Sequence, residues 1–287
     1  MELVVISGKG GTGKTTIAVA LSELAYNVVK ADCDVDAPNL YLMYKGEDIE
    51  GNNFITGKKA EINIDKCIKC GKCEEVCRFD AIKNYKINEY KCEGCTACSL
   101  VCPSGAIEIK DDIGAKTLIT KTSKGIISRA KMEIGADGSG KLITEVRKNA
   151  KDYSKDNLVI IDGSPGIGCP VISSITGTDA ALVVTEPTKS GLEDMKRVLE
   201  VCDYFRVKAL VCINKSDINE QVTEEIKSFC RKENYEVVGE IPYDDTVMKA
   251  INELKPITEY KESKVNLEII KMWEKIKKIL YKKEEEI

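Results

Sequence analysis

An α/β fold with a doubly wound, mostly parallel sheet, carrying a small inserted α+β module, is the architecture this 287-residue sequence predicts. Three observations support it. Residues 3 to 26 read as an apolar strand, a glycine-rich loop and a helix; further β-branched apolar strands recur down the chain, each ending in a polar loop; and eight cysteines crowd between Cys67 and Cys102. The expected organisation is 1–58 for the first part of the sheet domain, 59–111 for the cysteine module and 112–287 for the remainder.

The first element is the strand Leu3-Val4-Val5-Ile6, followed by a helix from Lys14 to Tyr26 with Ile17, Ala18, Ala20, Leu21, Leu24 and Ala25 apolar. Between them Gly8-Lys9-Gly10-Gly11-Thr12-Gly13-Lys14-Thr15 matches G-x-x-x-x-G-K-[ST] in the strand-loop-helix context that gives the pattern its meaning. Gly8, Gly10, Gly11, Thr12 and Gly13 let backbone N–H groups curl around phosphates at the positive end of the helix. Lys14 neutralises the terminal phosphates, the Thr15 hydroxyl ligates Mg2+, and Thr16 lies beside it at the nucleotide.

The strand Val28 to Ala31 leads into Asp32-Cys33-Asp34-Val35-Asp36-Ala37-Pro38-Asn39-Leu40, whose aspartates suit either nucleotide chemistry or helix capping. Next come Cys67, Cys70, Cys73 and Cys77 with C-x2-C-x2-C-x3-C spacing, repeated at Cys92, Cys95, Cys98 and Cys102. The repeat extends to the pairs Ala81-Ile82 and Ala106-Ile107. It resembles the bacterial two-cluster ferredoxins, which implies one 4Fe-4S cluster on Cys67, Cys70, Cys73 and Cys102 and a second on Cys77, Cys92, Cys95 and Cys98. Pro103 follows the last cysteine as that pattern expects, whereas Arg78 replaces proline in the first repeat. Structural zinc, which favours separated C-x2-C pairs, is the alternative.

Gly135 to Lys141 imitates a second phosphate loop, but Leu142 stands where Ser or Thr is required, so a turn before a helix beginning near Lys141 is expected. Leu158 to Ile161 is an apolar strand ending in Asp162, placed to hold the magnesium shell. Gly163-Ser164-Pro165-Gly166-Ile167-Gly168 follows. Two more strands, Ala181 to Val184 and Ala209 to Ile213, end in Thr185-Glu186-Pro187-Thr188 and Asn214-Lys215-Ser216-Asp217; read literally, the latter is the N-K-x-D guanine signature. From Val265 to Tyr281 apolar residues recur at helical spacing. A helix packed on the sheet is expected, with a membrane-surface helix as the alternative that Glu284-Glu285-Glu286 weakens.

Composition excludes several classes. With 43% hydrophobic and 31% charged residues the chain is globular, and it has no basic N-terminal region followed by an apolar stretch and no membrane-length apolar run. A cytoplasmic location is expected, with membrane association unlikely. The net charge of −4, with lysines scattered among carboxylates, argues against nucleic acid as a partner. Thirteen cysteines without a secretion signal favour metal ligation over disulfides, and the lack of histidine removes every mechanism with a histidine base.

Lys9 adds a second lysine to the loop, and this KGGTGKT form resembles the deviant Walker A ATPases, the MinD, ParA, Mrp and nitrogenase iron protein superfamily. Over essentially the whole chain it is similar to the members that carry an inserted ferredoxin domain. The resemblance implies ATP or ADP with Mg2+ as ligand, and a nucleotide-sandwich dimer, with itself or a related subunit, in which Lys9 reaches the partner's phosphates. It assigns Lys9, Lys14 and Asp34 to catalysis, Asp34 orienting the attacking water. Residues 32–40 become switch I, and Gly166 lies in switch II. Asn214 then contacts adenine rather than guanine, with Pro242 and Tyr243 in a second base-contacting loop. Cys169 corresponds in position to a cysteine that holds a subunit-bridging cluster in the nitrogenase iron protein, whereas Asp36 has no counterpart role. The implied function is ATP hydrolysis coupled to electron transfer through the two clusters to a redox protein partner. Cluster carriage of the Mrp type and a redox-sensing positioning or regulatory ATPase are the alternatives.

Overall fold

The computed structural model of the chain describes residues 1–133, 135–136 and 139–281. The chain divides into two compact units, one of Met1–Gly51, Thr117–Ala130 and Ser139–Ile287, the other of Asn52–Lys116 with the described residues of 131–138.

In the first unit β1 (Glu2–Ser7) has Leu3, Val4, Val5 and Ile6 with no exposed surface, as a strand covered on both faces requires. It pairs in parallel with β8 (Val159–Pro165) on one side and β9 (Ala180–Thr185) on the other. Outward from β9 lie β10 (Lys208–Asn214) and β11 (Glu236–Ile241), also parallel; outward from β8 lie β2 (Val29–Asp32) and then β7 (Gly125–Met132). Among the described residues the sheet order is β11-β10-β9-β1-β8-β2-β7-β6-β3, where β3 is Gly46–Ile62 and β6 is Ile107–Thr122. Only two residues connect β6 to β7, so that pair is antiparallel. This is the expected doubly wound, mostly parallel sheet. The chain leaves β1 in both directions, and the crevice for ligands opens at the carboxyl ends of the central strands.

The helices α1 (Lys14–Leu24) and α9 (Lys264–Tyr281) contribute to one apolar core together with β1, β9, β10 and β11. Ile269, Met272, Trp273 and Ile276 of α9 are buried there, and the helix packs on β11 and α1. Its apolar stripe is therefore spent on the core and not left for a membrane surface; Glu284, Glu285 and Glu286 lie outside the described residues. Among the described residues no helix is long and apolar enough to cross a membrane. Helix α4 (Ser139–Ser154) begins where a helix after the false phosphate loop was expected, while Ile134, Asp137 and Gly138 of that segment lie outside the described residues.

Strands β3, β6 and β7 are not anticipated by sequence reasoning. In β3 only Ala60 is buried, so Gly46–Ile62 lacks the alternation by which a half-buried strand is recognised.

The second unit shows the cysteine repeat as a structural repeat. Helix α2 (Lys72–Val76) follows Gly71 at φ 80° and helix α3 (Ala97–Val101) follows Thr96 at φ 68°, equivalent positions in the two halves. Each helix buries its own third cysteine, Cys73 or Cys98. These thiols pack with Ala60 and Ile82 in a small core flanked by Ile62, Val76, Ile87, Ile107 and Ile109. Strands β4 (Ile82–Lys83) and β5 (Lys86–Ile87) form a hairpin whose turn residues Asn84 and Tyr85 have φ 51° and 60°, the left-handed pair a tight hairpin needs.

Candidate functional site

The loop after β1 keeps Gly11 and Gly13 in the left-handed region, at φ 80° and 87°. Gly13 has a second constraint, since a Cβ there would stand 2.4 Å from the Asn214 side-chain amide. Helix α1 therefore starts at Lys14 with its first N–H groups uncapped by side chains, the arrangement that suits an anion. Thr15 and Thr16 are half-buried on its first turn, and Gly8 and Lys9 lie in the loop before it.

Lys14 is 5% exposed and joins the two carboxylates expected at this site: its Nζ lies 2.8 Å from Asp162 Oδ1 and 3.2 Å from Asp34 Oδ2. Burial alone would lower the Lys14 pKa, but Asp162 and Asp34 together hold it above its ordinary value. Burial raises Asp34, with Lys14 opposing. A third carboxylate had no role of its own in the sequence reading. The parallel register sets Asp32 of β2 directly beside Asp162 of β8, where it is fully buried and accepts a hydrogen bond from the Leu40 N–H at 3.2 Å. Burial, and next the Asp162 charge, push Asp32 well above the usual carboxylate range. Only pairing of the two strands could have revealed it.

The segments on either side are tied together. Ser164 Oγ donates to Cys33 O at 2.8 Å, the Cys33 N–H to Asp162 O at 2.8 Å, and the Gly166 N–H to Ser7 O at 2.8 Å. Gly166 itself sits at φ 101°. Asp36 is exposed and takes no part in this cluster.

Oxygen donors without hydrogen-bond partners among the described residues include Asp162 Oδ2, Asp32 Oδ1 and Thr12 Oγ1. Such hard oxygens suit Mg2+. The residues present fit that ion.

Lys9 is elsewhere. Its Nζ lies 3.4 Å from both Thr188 Oγ1 and Ser190 Oγ and 3.7 Å from Glu186 Oε2, within the chain that carries it. Glu186 also pairs with Lys215 at 2.5 Å, so one carboxylate links the phosphate loop to the loop after β10.

Beside the loop is a cavity of about 450 Å³ lined by Gly11, Gly13, Thr16, Asn214, Pro242 and Tyr243 among polar and backbone groups, with Ile17, Ile241 and Ile269 supplying apolar walls. Asn214 Nδ2 donates to Thr12 O at 2.8 Å, which anchors the β10 loop to the phosphate loop. Asp217, the carboxylate that a guanine signature needs, does not line this cavity; its Oδ1 accepts the Tyr243 N–H at 2.7 Å.

In the second unit two small cavities are each lined by four cysteines. One set is Cys67, Cys70, Cys73 and Cys102; the other is Cys77, Cys92, Cys95 and Cys98. Backbone N–H groups point at three of these sulfurs: Ala106 to Cys102 at 3.3 Å, Ala81 to Cys77 at 3.4 Å and Ala60 to Cys92 at 3.5 Å. Among the described residues no three or more Cys, Asp or Glu side chains close on one point as ligands to a single metal ion. All-thiol sets spread around a cavity, with N–H donors to sulfur, are the donor chemistry that fits an iron–sulfur cube. Cys169 starts helix α5 (Cys169–Ile175) and is exposed, while Cys33, Cys202, Cys212 and Cys230 are buried.

Comparison with known proteins agrees with the sheet and its loop. The family described as CobQ/CobB/MinD/ParA nucleotide binding domain matches residues 3–257. An uncharacterized protein of Methanocaldococcus jannaschii is 40% identical over 285 residues, 98% of each chain. An iron-sulfur cluster carrier protein of Pyrococcus furiosus is 25% identical over 296 residues, covering 96% of this chain and 85% of that one. Among solved structures, the septum site-determining protein MinD complexed with Mg-ADP from Pyrococcus horikoshii superposes with a TM-score of 0.58 at 21% identity, covering 97% of each chain.

Proposed function

Because this chain belongs to the CobQ/CobB/MinD/ParA nucleotide-binding family, we propose that it is an ATP-binding, ATP-hydrolysing iron–sulfur protein in which nucleotide-dependent switching is coupled to electron transfer. The observation that carries the iron–sulfur half is the crosswise partition of the repeat: each cavity takes three cysteines from one half and the fourth from the other. Residues 59–111 are the proposed ferredoxin domain. Clusters bound there would supply one-electron chemistry.

On the nucleotide side the residues divide the work. Backbone N–H groups from Gly8 to Gly13 bind the phosphates, Lys14 moves its charge from the carboxylates to the terminal phosphates, and Thr15 with Asp162 holds Mg2+. Asp34 orients water for in-line attack. Asn214, Pro242 and Tyr243 hold the base, and the engagement of Asp217 by the Tyr243 N–H favours adenine over guanine. Lys9 exchanges its contacts with Glu186, Thr188 and Ser190 for the phosphates of a second subunit, identical or related. The Ser164–Cys33 link connects the two segments that would respond to the terminal phosphate, and the Gly166–Ser7 link ties the second of them to the end of β1.

Similarity to a cluster carrier supports a second reading, delivery of iron–sulfur clusters. Four-cysteine sites should hold their clusters firmly, and no C-x-x-C follows Cys102. Anaerobic incubation with an apo-ferredoxin separates the two. An electron carrier keeps its iron through the incubation, whereas transfer of iron to the acceptor selects the cluster carrier. In the same preparation Lys14→Ala should abolish ATP hydrolysis, and Lys9→Ala should abolish ATP-dependent dimerisation measured by sedimentation. Retention of both by these variants removes the sandwich mechanism.

A further inference from the structure

The two cysteine cavities differ in the charge around them. The first is lined by Cys67, Ile68, Cys70, Lys72, Cys73 and Cys102; its loop carries Lys66 and Lys69 against Asp65, and Lys72 opens α2 ahead of Glu74 and Glu75. The second is lined by Glu93, and its loop carries Glu89 and Glu93 against Lys91. Elsewhere in this unit Lys58, Lys59, Lys83, Lys91 and Lys110 each pair with a carboxylate. Lys66, Lys69 and Lys72 are exposed and have no ion pair among the described residues. Between Lys66 and Lys69 in the sequence Ile68 is 64% exposed, and Ile64, two residues before Lys66, is 54% exposed. The protein as a whole is acidic, so this patch runs against its net charge of −4.

We infer that the Lys66–Ile68–Lys69–Lys72 face is the docking surface for an acidic one-electron carrier protein, seated over the first cysteine cavity. The inference rests on the reading of residues 59–111 as a two-cluster ferredoxin. Ile68 and Lys72 line the cavity itself, so a carrier held by them stands one side chain from whatever the four thiols bind. The lysines steer an anionic surface in and Ile68 supplies the contact that excludes water, the usual division between rim charge and apolar centre. Each encounter moves one electron and no proton, oxidising one partner by one unit and reducing the other by one; no bond forms.

The test uses the full chain prepared anaerobically, with an acidic plant-type [2Fe-2S] ferredoxin as probe and basic cytochrome c as the opposite-charge control. Binding is read by fluorescence anisotropy at low salt. The ferredoxin should bind, and Lys66→Glu, Lys69→Glu and Lys72→Glu combined should weaken ferredoxin binding by about tenfold or more while leaving any binding of cytochrome c to the acidic remainder of the chain undiminished. Wild-type binding should also fade as salt rises to about 0.1 M, where the screening length is about 10 Å. Unchanged binding by that variant, an equal loss in a charge-matched control (Lys148→Glu, Lys151→Glu, Lys155→Glu), or salt-independent binding overturns the surface. Iron and sulfide content are measured on the same samples. A protein without clusters defeats the ferredoxin reading, whereas a cluster-loaded protein that ignores the ferredoxin defeats only the docking surface.

Discussion

At the scale of single residues, the nucleotide pole is one lysine set among three aspartates. Lys14 and Asp162 were legible from their motifs; Asp32 was not, because its place beside Asp162 depends on the register of two strands distant in sequence. A second buried lysine was equally hidden. Lys30 has no exposed surface, donates to Lys124 O at 2.6 Å and lies 4.8 Å from the Tyr44 ring centre. Burial lowers its pKa from 10.5 to about 8, with Glu23 opposing. Below about pH 8 both folded and unfolded chains carry the charge, and the folded state bears the full burial cost. Between that value and 10.5 the unfolded chain binds more protons, so folding strengthens as pH rises, by at most about 3 kcal/mol over the window. Urea titrations of wild type and Lys30→Met should show the wild type gaining on the variant from pH 8 to 10.5. Parallel pH curves would mean that Lys30 titrates normally.

Secondary elements were readable where chemistry or periodicity marks them. The phosphate loop, the apolar central strands and α9 all announce themselves, since glycine pattern, β-branched runs and helical spacing each have a local cause. Strands β3 and β6 do not, because β3 is largely exposed, β6 buries residues only in its second half, and the ladder that forms them is non-local. Gly94 belongs to the same non-local class. It sits at φ 58°, and a Cβ there would come within 2.0 Å of the Lys58 carbonyl oxygen, a backbone atom that cannot swing aside. Gly94→Ala should therefore displace the loop bearing Cys92, Cys95 and Cys98. Iron content should fall by about half while the other cysteine set stays loaded, because that set draws nothing from this loop. Full iron retention would show that the loop tolerates the shift.

For the whole molecule, the sequence alone indicated that a phosphate-binding sheet and a cysteine module at 59–111 share one chain; the structure divides into two compact units, the one that holds the eight cysteines taking in Asn52–Lys116. What sequence could not supply is Lys9's position: it is held by Glu186, Thr188 and Ser190 of its own chain, contacts that arise only once β9 and β1 are neighbours. If these contacts compete with dimer formation, Glu186→Gln should increase the dimer fraction severalfold at a given ATP concentration in sedimentation runs, and an unchanged fraction would show that they do not restrain Lys9.

The crosswise cysteine sets also have a topological consequence. A group tied to the first set closes the chain from Cys67 to Cys102, and one tied to the second closes it from Cys77 to Cys98, a ring nested within the first. Each closure would remove freedom from the unfolded segment, as a cross-link does, and in a unit with so small an apolar core that restriction would be a large part of what keeps it folded. A metal group held by these thiols would then be as much a fastening as a redox centre. Chelation would undo an outer and an inner knot together and leave the segment a slack loop on a sheet that stays whole.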